Sequence, residues 1–112
     1  MPNAIVNTDG SSNAIFLSVA EERGHHIETV ITINHIEFTT IEGDFNDLQI
    51  GTNASLANGK VSVVTTSLKI TPAENSKVVF ALKGAKKAPV NEDDLEFNED
   101  LIVIHNMTYD LF

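Results

Sequence analysis

The stretch His26-Ile27-Glu28-Thr29-Val30-Ile31-Thr32-Ile33-Asn34 puts Ile27, Thr29, Ile31 and Ile33 on one side of an extended chain and His26, Glu28, Thr32 and Asn34 on the other. That period of two is the signature of a half-buried β-strand. The apolar row then moves to even numbers, Ile36, Phe38 and Thr40, and a phase change of one residue predicts a bulge or corner near Asn34-His35.

Residues 48–57 lead into Asn58-Gly59 and then Lys60-Val61-Ser62-Val63-Val64-Thr65-Thr66-Ser67-Leu68-Lys69-Ile70. Asn-Gly between two alternating runs predicts a hairpin closed by a type I′ turn, which needs positive φ at both central positions. The second run also changes parity, from Val61 and Val63 to Val64, Leu68 and Ile70, and predicts another bulge or sheet-switching bend. Pro72-Ala73-Glu74-Asn75-Ser76 punctuates the chain before a strand at Val78-Val79-Phe80-Ala81-Leu82, and a last strand begins at Leu101. Residues 12–24 read two ways. Ser12 can cap a helix that stops at Gly24, or Ile15, Leu17 and Val19 can form one face of a strand that turns at Gly24 into the next; the β context favours the strand. Residues 91–100 are expected to add a helical turn, with acids near its start.

The vocabulary of Ile, Val, Thr and Asn is that of pleated strands joined by tight turns. About six to eight short strands with regular turn signals predict an all-β fold, an antiparallel β-sandwich of Greek-key or jelly-roll type or a small barrel. The 112 residues suit one β-domain over positions 1–112.

Sixteen acidic against seven basic residues give a formal charge of −9, which argues against nucleic acid as a partner. Lys77, Lys83, Lys86 and Lys87 precede the acidic run Glu92, Asp93, Asp94, Glu96, Glu99 and Asp100, read as a pair of solvated loops. No stretch reaches the roughly 18 apolar residues of a membrane span, and Met1-Pro2-Asn3-Ala4 lacks the marks of a signal peptide, so no membrane insertion is expected.

Without cysteine the chain has no disulfide, thiolate metal site or cysteine nucleophile. The neutral-pH acid–base and ligand candidates are His25, His26, His35 and His105. His26 and Glu28 share a strand face and could ligate a metal with help from a neighbouring strand. In this they resemble, in part, the double-stranded barrel metalloproteins called cupins. The family's two histidines separated by one residue and its later glycine-proline-glycine-histidine segment are both missing, and the pair reads as solvated polar residues beside a turn. His105 falls in the row Leu101, Val103, His105, Met107, Tyr109 and Leu111 and reads as a core-edge histidine, acid-sensitive if buried. The acidic run 92–100 and Asp44-Phe45-Asn46-Asp47 offer oxygens for calcium but lack the spacing of a known calcium loop. The sequons Asn53-Ala54-Ser55 and Asn106-Met107-Thr108 read as chance.

No glycine-x-serine-x-glycine elbow and no phosphate loop occurs. No catalytic, cofactor or metal residue is therefore assigned. The expectation is a non-enzymatic structural or interaction module, such as a component of a phage-like, viral or extracellular assembly, with a protein partner or itself as a homo-oligomer. The alternatives are a sandwich that binds a sugar or calcium, and a small acidic inhibitor. The final strand sharpens this expectation. Leu101-Ile102-Val103-Ile104 is apolar on both faces, as in a strand covered from two sides, and Leu111-Phe112 should be covered by this chain or by a neighbouring subunit.

Overall fold

A computed structural model describes residues 2–112. It is a β-sandwich of nine strands: β1 (Asn3–Val6), β2 (Ala14–Glu21), β3 (His26–Ile33), β4 (Ile36–Glu42), β5 (Phe45–Thr52), β6 (Lys60–Leu68), β7 (Asn75–Lys83), β8 (Val90–Glu96) and β9 (Ile102–Leu111). One four-residue helix, α1 (Asn53–Leu56), interrupts them. A five-stranded sheet runs β1-β9-β6-β3-β4 and a four-stranded sheet β5-β2-β7-β8. The strand reading of residues 12–24 holds, with Ile15, Leu17 and Val19 fully buried.

Only two pairs of consecutive strands are neighbours in a sheet, β3–β4 and β7–β8; every other connection crosses from one sheet to the other. This overturns the hairpin expected at Asn58-Gly59, because β5 pairs with β2 whereas β6 pairs with β3 and β9. Thr52 and Ser55 are the physical reason. The Thr52 Oγ1 accepts from the Ser55 N–H at 3.0 Å and the Ser55 Oγ from the Thr52 N–H at 2.8 Å, a capping box that winds the chain into α1 and aims it at the opposite sheet. Gly59 then passes so close to the Asn34 side chain that a Cβ would lie 2.8 Å from its Oδ1. The two-residue turn with positive φ lies instead at Asn34 (50°) and His35 (68°), joining β3 to β4 with Ile33 opposite Ile36. The phase change there is thus a hairpin, with a bulge further along between Ile31 and Thr32.

Likewise Gly24, at φ +82°, turns an arch between sheets and not a hairpin, since β2 and β3 do not pair. No second bulge occurs in β6. Its register to β3 and β9 is unbroken, and Val61, Val63, Thr65 and Ser67 all face inward. The parity of the apolar residues shifts because buried Thr and Ser take over the inner row. Most of the acidic run is strand, not loop or helical turn: in β8, Asn91, Asp93 and Leu95 turn partly inward and Glu92, Asp94 and Glu96 outward.

The buried apolar side chains form one cluster between the sheets, including Ile15, Leu17, Ile27, Ile31, Val63, Phe80, Leu82, Met107 and Tyr109. Each of these apart from Tyr109 contributes about 1.5–3 kcal/mol by leaving water. Asn53 closes one end of the sandwich: its Nδ2 donates to the carbonyls of Asn13 (3.0 Å) and Gly84 (2.9 Å), and its Oδ1 accepts from the Asp9 N–H (3.1 Å). Its amide is spent inside the fold, so the first sequon offers no accessible acceptor.

At the same end Gly84 has φ +104°, and a Cβ there would collide with the Ala14 carbonyl oxygen at the start of β2. Gly84→Ala should cost about 2 kcal/mol or more, lowering the melting temperature by roughly 10 °C. An unchanged denaturant midpoint would contradict the close approach.

Candidate functional site

The four histidines part company in the fold. His26 and Glu28 lie exposed on the outer face of the five-stranded sheet, where His26 stands opposite Leu68 and Glu28 between Thr66 on β6 and Glu42 on β4. Among the described residues no group of three His, Asp or Glu is placed to hold a metal ion. His35 is exposed in the β3–β4 turn. His25, in contrast, is buried in the β2–β3 arch. Its Nε2–H donates to the Asn75 carbonyl at 3.1 Å, its Nδ1 accepts from the Ile70 N–H at 3.2 Å, and its ring meets Phe97 edge-on at 4.7 Å.

His105 occupies the middle of a buried polar chain that joins the two sheets. From β9 its Nδ1 lies 2.9 Å from Asp93 Oδ2 on β8, and its Nε2 lies 2.9 Å from Ser76 Oγ on β7. Ser76 Oγ is also 2.8 Å from Ser67 Oγ on β6 and 3.1 Å from Glu21 Oε2 at the end of β2. Glu21 is itself buried and saturated: its Oε1 accepts from the N–H groups of Arg23 (2.8 Å) and His25 (2.9 Å), its Oε2 from that of Lys77 (3.1 Å). These bonds compensate the burial of a charge that would otherwise be costly. Next along the same inner row, Thr29 and Thr65 join hydroxyls at 2.8 Å.

The contacts Ser76–His105–Asp93 follow the order of a nucleophile, base and orienting acid. The surroundings differ. Ser76 and His105 have no exposed surface, and the Ser76 hydroxyl has one proton for three heteroatom neighbours, among them Glu21. A carbonyl substrate would have to enter between the sheets to reach it. What the geometry does directly is clasp β9 and β6 of one sheet to β7, β8 and β2 of the other.

Burial pulls the His105 pKa below the ordinary histidine value, against the hydrogen bond and charge of Asp93 and the charges of Glu21 and Asp94. Above that lowered pKa the ring is neutral, with the Asp93 carboxylate facing Nδ1 and the Ser76 Oγ facing Nε2. Sequence reasoning placed His105 at the core edge but missed its partners. The signal was there in parity: Ser67 continues the inward row of Val61 and Val63, and Ser76 that of Val78 and Phe80.

A second feature lies at the opposite end of the sandwich. An open cleft of about 330 Å³ is lined by Asn34, His35, Asn58, Lys60, Asp110 and Phe112, among others. Comparison with known proteins finds no matching family model, no matching curated protein and no matching solved structure.

A histidine whose folded pKa is depressed stays neutral in the native state while the unfolded chain takes up a proton near pH 6.5. The stability it contributes is therefore complete above that pH and is lost, by up to about 1.4 kcal/mol per unit, as pH falls below it. Urea unfolding from pH 8 to pH 5 should show this decline in the parent and a shallower one in His105→Gln, which should also be less stable by about 2–4 kcal/mol at pH 8. A parent that gains stability relative to the variant on acidification would show that the buried ring is charged.

Tyr109 is fully buried, its hydroxyl has no hydrogen-bond partner among the described residues, and burial drives its pKa far above the ordinary value. Tyr109→Phe should thus stabilise the fold by about 1 kcal/mol, read as a raised denaturant midpoint. A loss of similar size would mean that the hydroxyl is satisfied.

Proposed function

We propose that the protein is a non-enzymatic structural module that assembles with copies of itself, of the kind used in phage-like, viral or extracellular assemblies. The observation carrying this reading is a patch of aliphatic side chains left in water where β6 and β9 meet: Leu68 (41% exposed), Ile70 (64%), Leu101 (49%), Ile102 (46%) and Ile104 (53%). Leu68 and Ile102 are direct cross-strand partners, so their side chains stand together on the outer face. The strand expected to be covered on both faces is covered on one only. Leu101 adds a second mark, holding φ +60° while its carbonyl accepts from the Lys69 N–H at 2.9 Å. Left-handed backbone is uncommon for leucine, and here it ends in a half-exposed apolar side chain.

Association by the sheet edges has less support. β1 is four residues long, β4 carries a bulge, β5 has two register shifts against β2, and β8 presents Glu92, Asp94 and Glu96. Each is a device that blunts an edge. The face contact suits a second copy. A twofold axis through the Leu68–Ile102 pair would make the patch its own complement, and twofold pairing is the commonest oligomer symmetry. In a chain of charge −9, an uncharged aliphatic patch is where two copies meet with least repulsion.

Light scattering after size exclusion, at roughly tens of micromolar, should give a mass of at least two chains. The double variant Ile102→Thr with Ile104→Thr, exposed positions that keep β-branching, should run as a 12.2 kDa monomer. Its melt should be within about 0.5 kcal/mol of the parent, apart from the loss of association. A parent that is itself a 12.2 kDa monomer would overturn self-association through this face.

A further inference from the structure

We infer that the cleft between the β3–β4 turn, the segment after α1 and the end of β9 is a binding site for a neutral, polyhydroxylated ligand, a sugar ring. At about 330 Å³ it lies at the lower end of the range for small-molecule sites. Its walls are fixed from several elements. Asn34 Oδ1 accepts from the Lys60 N–H at 2.9 Å and the Asn34 N–H donates to the Lys60 carbonyl at 2.9 Å; the Leu111 N–H donates to the Gly59 carbonyl at 2.9 Å and the Phe112 N–H to that of Val6 at 2.9 Å. Three of the five non-glycine residues with positive φ among the described residues, Asn34, His35 and Asn58, line this one cleft. A site built on such tight turns is preorganised.

The chemistry of the lining selects the ligand. Lys60 Nζ and Asp110 Oδ1 lie 3.8 Å apart, both partly exposed, so the one cation and the one carboxylate side chain in the lining compensate each other. Among the side chains of the lining, neither an anion nor a cation finds an unopposed counter-charge. What remains is hydrogen-bonding capacity: the Asn58 amide, the Asn34 Nδ2 and the His35 ring make no side-chain hydrogen bond among the described residues, and the amides and imidazole can donate or accept as hydroxyl groups require. The Phe112 ring, 58% exposed, supplies the apolar surface on which the C–H face of a sugar ring can lie. One aromatic ring and a few exposed polar groups imply millimolar affinity for a single sugar.

The test is a titration of the full chain with glucose, galactose, mannose, N-acetylglucosamine, lactose and cellobiose, followed by amide chemical shifts. With at least one of these sugars, saturable shifts should appear at Asn34, His35, Asn58, Gly59 and Lys60 and leave the His105 end unmoved. Phe112→Ala and Asn58→Ala should each weaken that binding by about tenfold or more while the remaining spectrum, and so the fold, is retained. Adding salt should leave the affinity unchanged, as expected for an uncharged ligand. Absence of saturable shifts with every sugar, shifts insensitive to both variants, or tighter binding of inorganic phosphate than of any sugar would each overturn the proposal.

Discussion

The carboxylate of Glu21 is the point on which one end of this sandwich depends. It accepts hydrogen bonds from the Arg23 and His25 amides, which shape the arch between the sheets, and from the Lys77 amide and the Ser76 hydroxyl at the start of β7. Through Ser76 it reaches His105 and Asp93. A sandwich held by apolar contact alone tolerates sliding of one sheet over the other, because the hydrophobic effect has no direction. Hydrogen bonds do have direction, and this chain sets the register between the sheets at the end where the inner rows turn polar.

Crossing connections give the molecule two distinct ends. Near Glu21, the arches 22–25, 69–74 and 97–101 gather around the buried polar chain, with Leu68, Ile70, Ile102 and Ile104 in water beside it. At the far end, α1, Asn53 and Gly84 pack tightly, and the turns around Asn34 and Asn58 frame a cleft. A rigid interior with exposed features at its two poles suits a module that builds contacts outward. The proposed pairing face and the proposed sugar cleft lie at opposite poles, so occupation of one leaves the other open.

The inner faces of the strands were legible because alternation is a local consequence of pleating. Ile27 to Ile33, and Val78, Phe80 and Leu82, read correctly as strands for that reason, as did Ile15, Leu17 and Val19 despite a competing helical reading. The site was far less legible. His105 is visible as a polar residue in an apolar row, but Asp93, Ser76, Ser67 and Glu21 come from four other strands, and no spacing within one segment brings them together. The Asn58-Gly59 reading failed for a related reason: a turn signal states that the chain reverses, not which strand it reverses against.

Pleat periodicity and turn chemistry act over a few residues, so the all-β class and most of the buried apolar rows are legible in the sequence, whereas β8 is not. The sequence did not determine the partners. Which sheet each strand joins, that Asn34-His35 and not Asn58-Gly59 makes the two-residue hairpin, and that Ile102 and Ile104 end in water were decided by the tertiary structure. The physical reason is that strand pairing and sheet packing are contacts between distant segments, won by whichever arrangement buries the inner rows and satisfies Glu21, Asn53 and His105 at once.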